Sequence, residues 1–172
     1  KKLLLILLCL PMIGFGQTAK DYFYKAYNAS EVEYQYKINY YTKCLKKDPD
    51  YASAYNNRGV AYKDLGNYED AISDYTKAIS IDTDYVKAYY NRGLAYNVLG
   101  NHEDAIADFT RAIKIEPDAA EAYYNRGNIY YNTGSYNDAI VDYSIAIRIN
   151  PTVAVVYYNR GITYDNLKNY ND

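Results

Sequence analysis

Apolar residues return along this chain in two alternating stripes. In the first, Ala54, Tyr55, Ala61, Tyr62 and Leu65 fall at i, i+1, i+7, i+8 and i+11; in the second, Ala71, Ile72, Tyr75, Ala78 and Ile79 fall at i, i+1, i+4, i+7 and i+8. Both spacings gather apolar side chains on one face of an α-helix. Gly66 stands between them, where a residue tolerant of positive φ closes a helix. The pattern therefore predicts helix, turn, helix. It then recurs every 34 residues: Gly66, Gly100 and Gly134 divide the stripes, and the second stripe repeats as Ala71, Ala105, Ala139, then Tyr75, Phe109, Tyr143, then Ala78, Ala112, Ala146. A fixed period of this size marks a repeat array. Pro49, Pro117 and Pro151 close units, stopping the second helix before the next turn.

The first helix of each unit carries nearly the same phrase: Tyr55-Asn56-Asn57-Arg58-Gly59, Tyr89-Tyr90-Asn91-Arg92-Gly93, Tyr123-Tyr124-Asn125-Arg126-Gly127 and Tyr157-Tyr158-Asn159-Arg160-Gly161. The pattern resembles the tetratricopeptide repeat family. Counted from Ala52, Val86, Ala120 and Ala154, that family's signature has a large aromatic at position 4, a small residue at 8, tyrosine at 11, alanine at 20, an aromatic at 24, alanine at 27 and often proline at 32. Three repeats match nearly throughout, over 52–153, and a fourth in part. Tyrosine replaces the commoner tryptophan at position 4, arginine replaces leucine at 7, and Thr83 replaces a proline, but the size pattern survives. The resemblance implies an all-α, right-handed superhelical solenoid of antiparallel helix pairs, with repeats at 52–85, 86–119 and 120–153 and an incomplete one at 154–172.

Residues 17–51 are expected to form a degenerate capping repeat. Tyr41-Thr42-Lys43-Cys44-Leu45 lines up with Tyr75-Thr76-Lys77-Ala78-Ile79, while Lys37 occupies the small-residue position and the turn near 28–33 holds an extra residue. Irregular end repeats follow from having one face toward solvent. Ahead of them, Lys1-Lys2, the apolar run from Leu3 and the small residues Gly14 and Gly16 have the form of a secretory signal peptide over 1–16. Export to the periplasm, cell surface or medium is the expectation, ahead of an uncleaved anchor, because the apolar run is short of the roughly 20 residues of a spanning helix. At the far end Tyr170-Asn171-Asp172 matches Tyr136-Asn137-Asp138. The chain is thus expected to stop at the threshold of a second helix, as a fragment that leaves Ile162, Tyr164 and Leu167 partly uncovered.

Composition narrows the function. Apolar residues make up 49% and charged residues 23%, as in an ordinary folded domain. Of 19 basic residues, Lys1 and Lys2 lie in the signal, leaving 17 against 21 acidic, a net charge of −4. That excludes the concentrated basic surplus of a nucleic-acid binder. Cys44 is then the one remaining thiol and aligns with core alanines, so no disulfide framework is expected. His102, the only histidine, aligns with Tyr68 and Tyr136 and has no second histidine to build a metal site. Asp48, Asp50, Asp82, Asp84, Glu116 and Asp118 lack the rhythm of a calcium loop and are expected to cap helix starts. No nucleophile–base pair and no phosphate loop occur. The chain is expected to be no enzyme, with no cofactor and no evident small-molecule substrate.

By the same resemblance, positions 2, 5, 6, 9, 12 and 13 of each repeat face a concave groove. There they place a tyrosine ladder, Tyr90, Tyr124 and Tyr158, beside an asparagine ladder, Asn57, Asn91, Asn125 and Asn159, with Lys87, Leu94 and Asn128 around them. Tyrosine offers broad contact with few rotatable bonds, and asparagine both donates to and accepts from a peptide backbone. The expected partner is a protein or peptide segment held in this groove. The competing expectation is that duplication alone keeps these residues. The position-6 asparagine resembles that of the branch which clamps C-terminal carboxylates, but of the basic partners such a clamp needs, only Lys87 is present. The alternative role is a periplasmic input domain of a larger sensor or enzyme, with a membrane or effector part after residue 172. Lastly, Arg58, Arg92 and Arg126 are expected to pair with Asp74, Asp108 and Asp142 as scaffold.

Overall fold

A computed structural model describes residues 17–30 and 32–171. The expected signal segment lies outside the described residues. Nine helices follow one another among them: α1 (Ala19–Tyr27), α2 (Tyr34–Lys47), α3 (Ala52–Asp64), α4 (Tyr68–Ile81), α5 (Val86–Val98), α6 (His102–Ile115), α7 (Ala120–Asn132), α8 (Tyr136–Ile149) and α9 (Ala154–Asn171). Each packs on its neighbours in sequence, and α3, α5, α7 and α9 also touch in succession, forming one layer of a solenoid. Among the described residues no helix is long and apolar enough to cross a membrane.

The turns are built as the glycines require. Gly66, Gly100 and Gly134 sit at φ of 82°, 79° and 80°, where an L side chain is strained. Beyond them the N–H groups of Asn67, Asn101 and Ser135 donate back to the carbonyls of Tyr62, Tyr96 and Tyr130 at 2.8–2.9 Å, satisfying the ends of α3, α5 and α7. At the equivalent place in the fourth unit stands Lys168, and no turn forms: α9 runs on to Asn171.

The acidic residues between repeats do not cap helix starts. Tyr51, Tyr85 and Ala119 precede α3, α5 and α7, and none of the three supplies a capping side chain. Instead Asp48 and Asp82 end α2 and α4, and their Oδ1 atoms accept from the N–H groups of Asp50 and Asp84 at 3.1 Å. Asn150 does the same after α8 toward Thr152. A short polar side chain that bonds two residues ahead shapes the turn between repeats.

Small residues set how closely the two layers approach. Ala71, Ala78, Ala105, Ala112 and Ala139 have no exposed surface. Gly59 lies so near Tyr75 that an added Cβ would sit 2.7 Å from its ring, and Gly93 and Gly127 stand 3.0 Å from Phe109 and Tyr143 in the same sense. Cys44 fills an alanine's place at full burial, which pushes its thiol up to about 11.

The arginine–aspartate pairs form as expected and do more. Arg58 donates from Nε and Nη2 to both oxygens of Asp74 at 2.7 Å, and from Nη1 to Thr42 of the preceding helix pair at 3.0 Å. Arg92 repeats this with Asp108 at 2.8 Å and Thr76 at 2.9 Å; Arg126 does so with Asp142 and Thr110, all at 2.8 Å. Each guanidinium also lies over two tyrosines of its own helix, 5.6 and 6.0 Å from Tyr55 and Tyr62 in the first case. One planar cation thus ties together both helices of its repeat and the repeat before it. Burial raises the carboxyls of Asp74 and Asp108, and the bonded arginine pulls them part of the way back.

Candidate functional site

The layer α3–α5–α7–α9 carries the residues proposed for the groove. Their side chains are joined across repeats by hydrogen bonds that skip one repeat plus one residue. Asn125 Nδ2 donates to the Tyr90 hydroxyl at 3.0 Å, Asn159 Nδ2 to the Tyr124 hydroxyl at 3.3 Å, and Asn91 Nδ2 to Asn56 Oδ1 at 3.1 Å. Asn166 reaches Tyr131 by the same 35-residue step at 2.8 Å. The tyrosine and asparagine ladders are therefore one structure: the amides of Asn91, Asn125 and Asn159 are each held by the preceding repeat.

This changes what the ladders present. Asn125 spends both amide hydrogens, one on Tyr90 and one on the Glu121 carbonyl at 2.8 Å. Its carbonyl oxygen is left to accept, and each bonded tyrosine keeps its own O–H to donate. At the Tyr90–Asn125 step the face thus offers one hydroxyl donor and one amide acceptor. Tyr90 and Tyr124 are half-buried and lean on the core aromatics Phe109 and Tyr143, with ring centroids 5.8 and 6.1 Å apart. Burial first, then the nearby Glu121 charge, raises the Tyr90 phenol above its ordinary range, so it stays a donor.

The other proposed residues divide by burial. Tyr158, with 68% of its surface exposed, and Lys87 reach furthest out. Asn57 is half-buried and accepts from Asn56 at 3.1 Å. Asn128 accepts twice, from the Tyr143 hydroxyl at 2.7 Å and from Asn159 at 3.1 Å. Leu94 packs against the cluster around Phe109. Asn56, a groove position by the repeat count, is 4% exposed and serves the ladder from below. Clefts open beside Tyr90 and Tyr124, lined in part by Glu116, Glu121 and Asn150. The interlock and the acidic clefts were missed from sequence; the signal available was the recurring step of 35 from a tyrosine to the next repeat's asparagine.

Elsewhere the site is chemically quiet. Among the described residues no three of His, Cys, Asp and Glu gather to hold a metal ion. His102 is half-buried at the start of α6.

A model of the tetratricopeptide repeat matches residues 52–85, 86–119 and 120–153, more than half of the chain. The chain belongs to the tetratricopeptide repeat family. Among solved structures of such repeats, MamA is 32% identical over 78% of this chain and 79% of its own, with a TM-score of 0.76. YrrB, described as a TPR protein with an unusual peptide-binding site, is 26% identical over 88% and 78%, with a TM-score of 0.76. The first TPR of Spaghetti (RPAP3), solved bound to the HSP90 peptide SRMEEVD, is 30% identical over 69% and 94%, with a TM-score of 0.67. No curated protein matches the chain.

Proposed function

We propose that this tetratricopeptide array is a non-catalytic interaction module that holds a peptide or protein segment against the α3–α5–α7–α9 layer. One observation carries the reading: the interlocked ladder fixes Tyr90, Tyr124 and their asparagines in place and still leaves a donor and an acceptor at each step. Side chains held before the ligand arrives lose little entropy on binding. The peptide sites of YrrB and of the Spaghetti repeat domain support the same use of this fold. The Spaghetti ligand is acidic, however, and this array supplies only Lys87 of the basic residues that such a tail needs.

As part of the same proposal the module is exported, on the strength of Lys1-Lys2 and the apolar run after them. Processing near Gln17, read by mass spectrometry of the exported protein, is the expected result; an intact leader would refute it.

The binding reading is tested by capturing exported proteins on the wild-type array and on Tyr90→Ala/Tyr124→Ala/Asn125→Ala, after both are shown to be equally helical. Partners held by the first and lost by the second support it. Identical partners on both, or none on either, remove the groove from consideration.

A further inference from the structure

Two clefts one repeat apart give the ligand a character. The first, of about 210 Å³, lies between the second and third repeats and has an apolar floor of Val86, Ala112, Ala119 and Ala122 beside Tyr90. Glu116, Asp118 and Glu121 stand around it, with Lys87 as the one cation among its lining residues. Among the described residues none of these four charges has an ion-pair partner within 4 Å. The second cleft repeats the first in register: Ala120, Tyr124, Ala146 and Val156 replace Val86, Tyr90, Ala112 and Ala122. Its rim differs, with Asn150 in place of Glu116, Val153 in place of Ala119, and Glu121, which lines both clefts, in place of Lys87. The first cleft is therefore apolar with three carboxylates and a lysine on its rim, and the second is apolar with Glu121 as the one charged residue among its lining.

A long cationic side chain suits the first cleft, since its methylenes cover apolar surface while its head meets carboxylates. An aliphatic side chain suits the second. Packed helices lie about 8–10 Å apart, and a polyproline II peptide advances about 3.1 Å per residue with three residues per turn. Side chains three positions apart on such a peptide leave the same face at close to that spacing.

Resting on the peptide-binding reading, we propose that the groove selects an extended peptide bearing a lysine or arginine and, three positions away, an aliphatic residue, with the basic side chain between the second and third repeats. The competing role for Glu121 is local: it lies in the first turn of α7, where a negative charge favours the helix. That role would alter stability and leave peptide choice untouched.

The test is fluorescence anisotropy on the full chain with four labelled nonapeptides of Ser and Gly, acetylated and amidated, carrying Lys-x-x-Leu, Leu-x-x-Lys, or either with Glu for Lys. The better lysine peptide is expected to bind about tenfold more tightly than its glutamate counterpart at low salt. In Glu116→Gln/Glu121→Gln that ratio is expected to fall below about threefold, the two charges removed being the ones that set it. Equal binding of lysine and glutamate peptides, abolished in Tyr90→Ala/Tyr124→Ala, overturns the charge selection and leaves the peptide reading standing. Binding of none of the four, or binding that ignores the tyrosine variant, overturns both.

Discussion

The first and third repeats hold the same aromatic in the same seat and treat its hydroxyl differently. Tyr75 in α4 and Tyr143 in α8 are both buried against a glycine of the preceding helix, Gly59 and Gly127. Tyr143 donates to Asn128 Oδ1 at 2.7 Å, and Asn128 continues to Asn159, which also reaches Tyr124. Tyr75 makes no such bond, because Val60 stands where Asn128 stands in the third repeat, and its buried hydroxyl has no hydrogen-bond partner among the described residues. The second repeat avoids the question with Phe109 facing Leu94. The array thus copies shape from unit to unit while polar partners are settled unit by unit. The face proposed to bind is best braced at the third and fourth repeats.

The largest expected effect tests what the two repeats share. Arg58→Met and Arg126→Met each remove a bidentate cation from a buried carboxylate and cut the tie to the preceding helix pair. Each is expected to cost about 3 kcal/mol, the scale for leaving one member of a buried pair alone. Urea unfolding followed by circular dichroism measures both. Losses that differ between the repeats by more than about 1 kcal/mol, well beyond the scatter expected of equivalent sites, would show that the clamps are not equivalent and would break the comparison at its base.

Alkali gives the next effect. Burial drives the phenols of Tyr75 and Tyr143 well above the ordinary range and that of Tyr41 up to about 12. These groups are raised relative to an unfolded value near 10 and are protonated in the folded chain over that window, whereas the unfolded chain ionises. The contribution of these phenols to stability is therefore flat below about pH 10 and falls above it, by up to about 1.4 kcal/mol per pH unit for each such tyrosine. Tyr75→Phe and Tyr143→Phe are each expected to flatten that slope by one tyrosine's share in unfolding series from pH 9 to about pH 11.5. An unchanged slope in either variant would mean that its phenol already titrates near its ordinary value in the fold.

Most of the scaffold was legible because its causes are local or strictly periodic. A glycine at positive φ, an alanine that admits a facing helix and an arginine 16 residues ahead of an aspartate recur with the unit, so a single sequence displays each several times. The groove was legible only as a set of positions. Its interlock joins position 5 of one repeat to position 6 of the next, and whether those side chains meet depends on how far each repeat turns on the last. The clefts were hidden for a related reason: Glu116 at the end of α6 and Glu121 in α7 belong to different repeats and converge only on stacking.

The smallest expected effect is the most discriminating, because its sign differs between the repeats. Tyr143→Phe removes a donor from Asn128 and is expected to cost about 1 kcal/mol. Tyr75→Phe removes a buried hydroxyl that is unbonded among the described residues, and is expected to raise stability by about 1 kcal/mol at neutral pH. The difference can be pressed further by supplying the missing acceptor. Val60→Asn copies the third repeat into the first, and its effect in the Tyr75 background minus that in the Tyr75→Phe background isolates the new bond. A coupling of about 1 kcal/mol favouring the introduced asparagine together with Tyr75 is expected. Tyr75→Phe that destabilises as much as Tyr143→Phe would show that Tyr75 already has a partner, and the contrast between the two repeats would be lost with it.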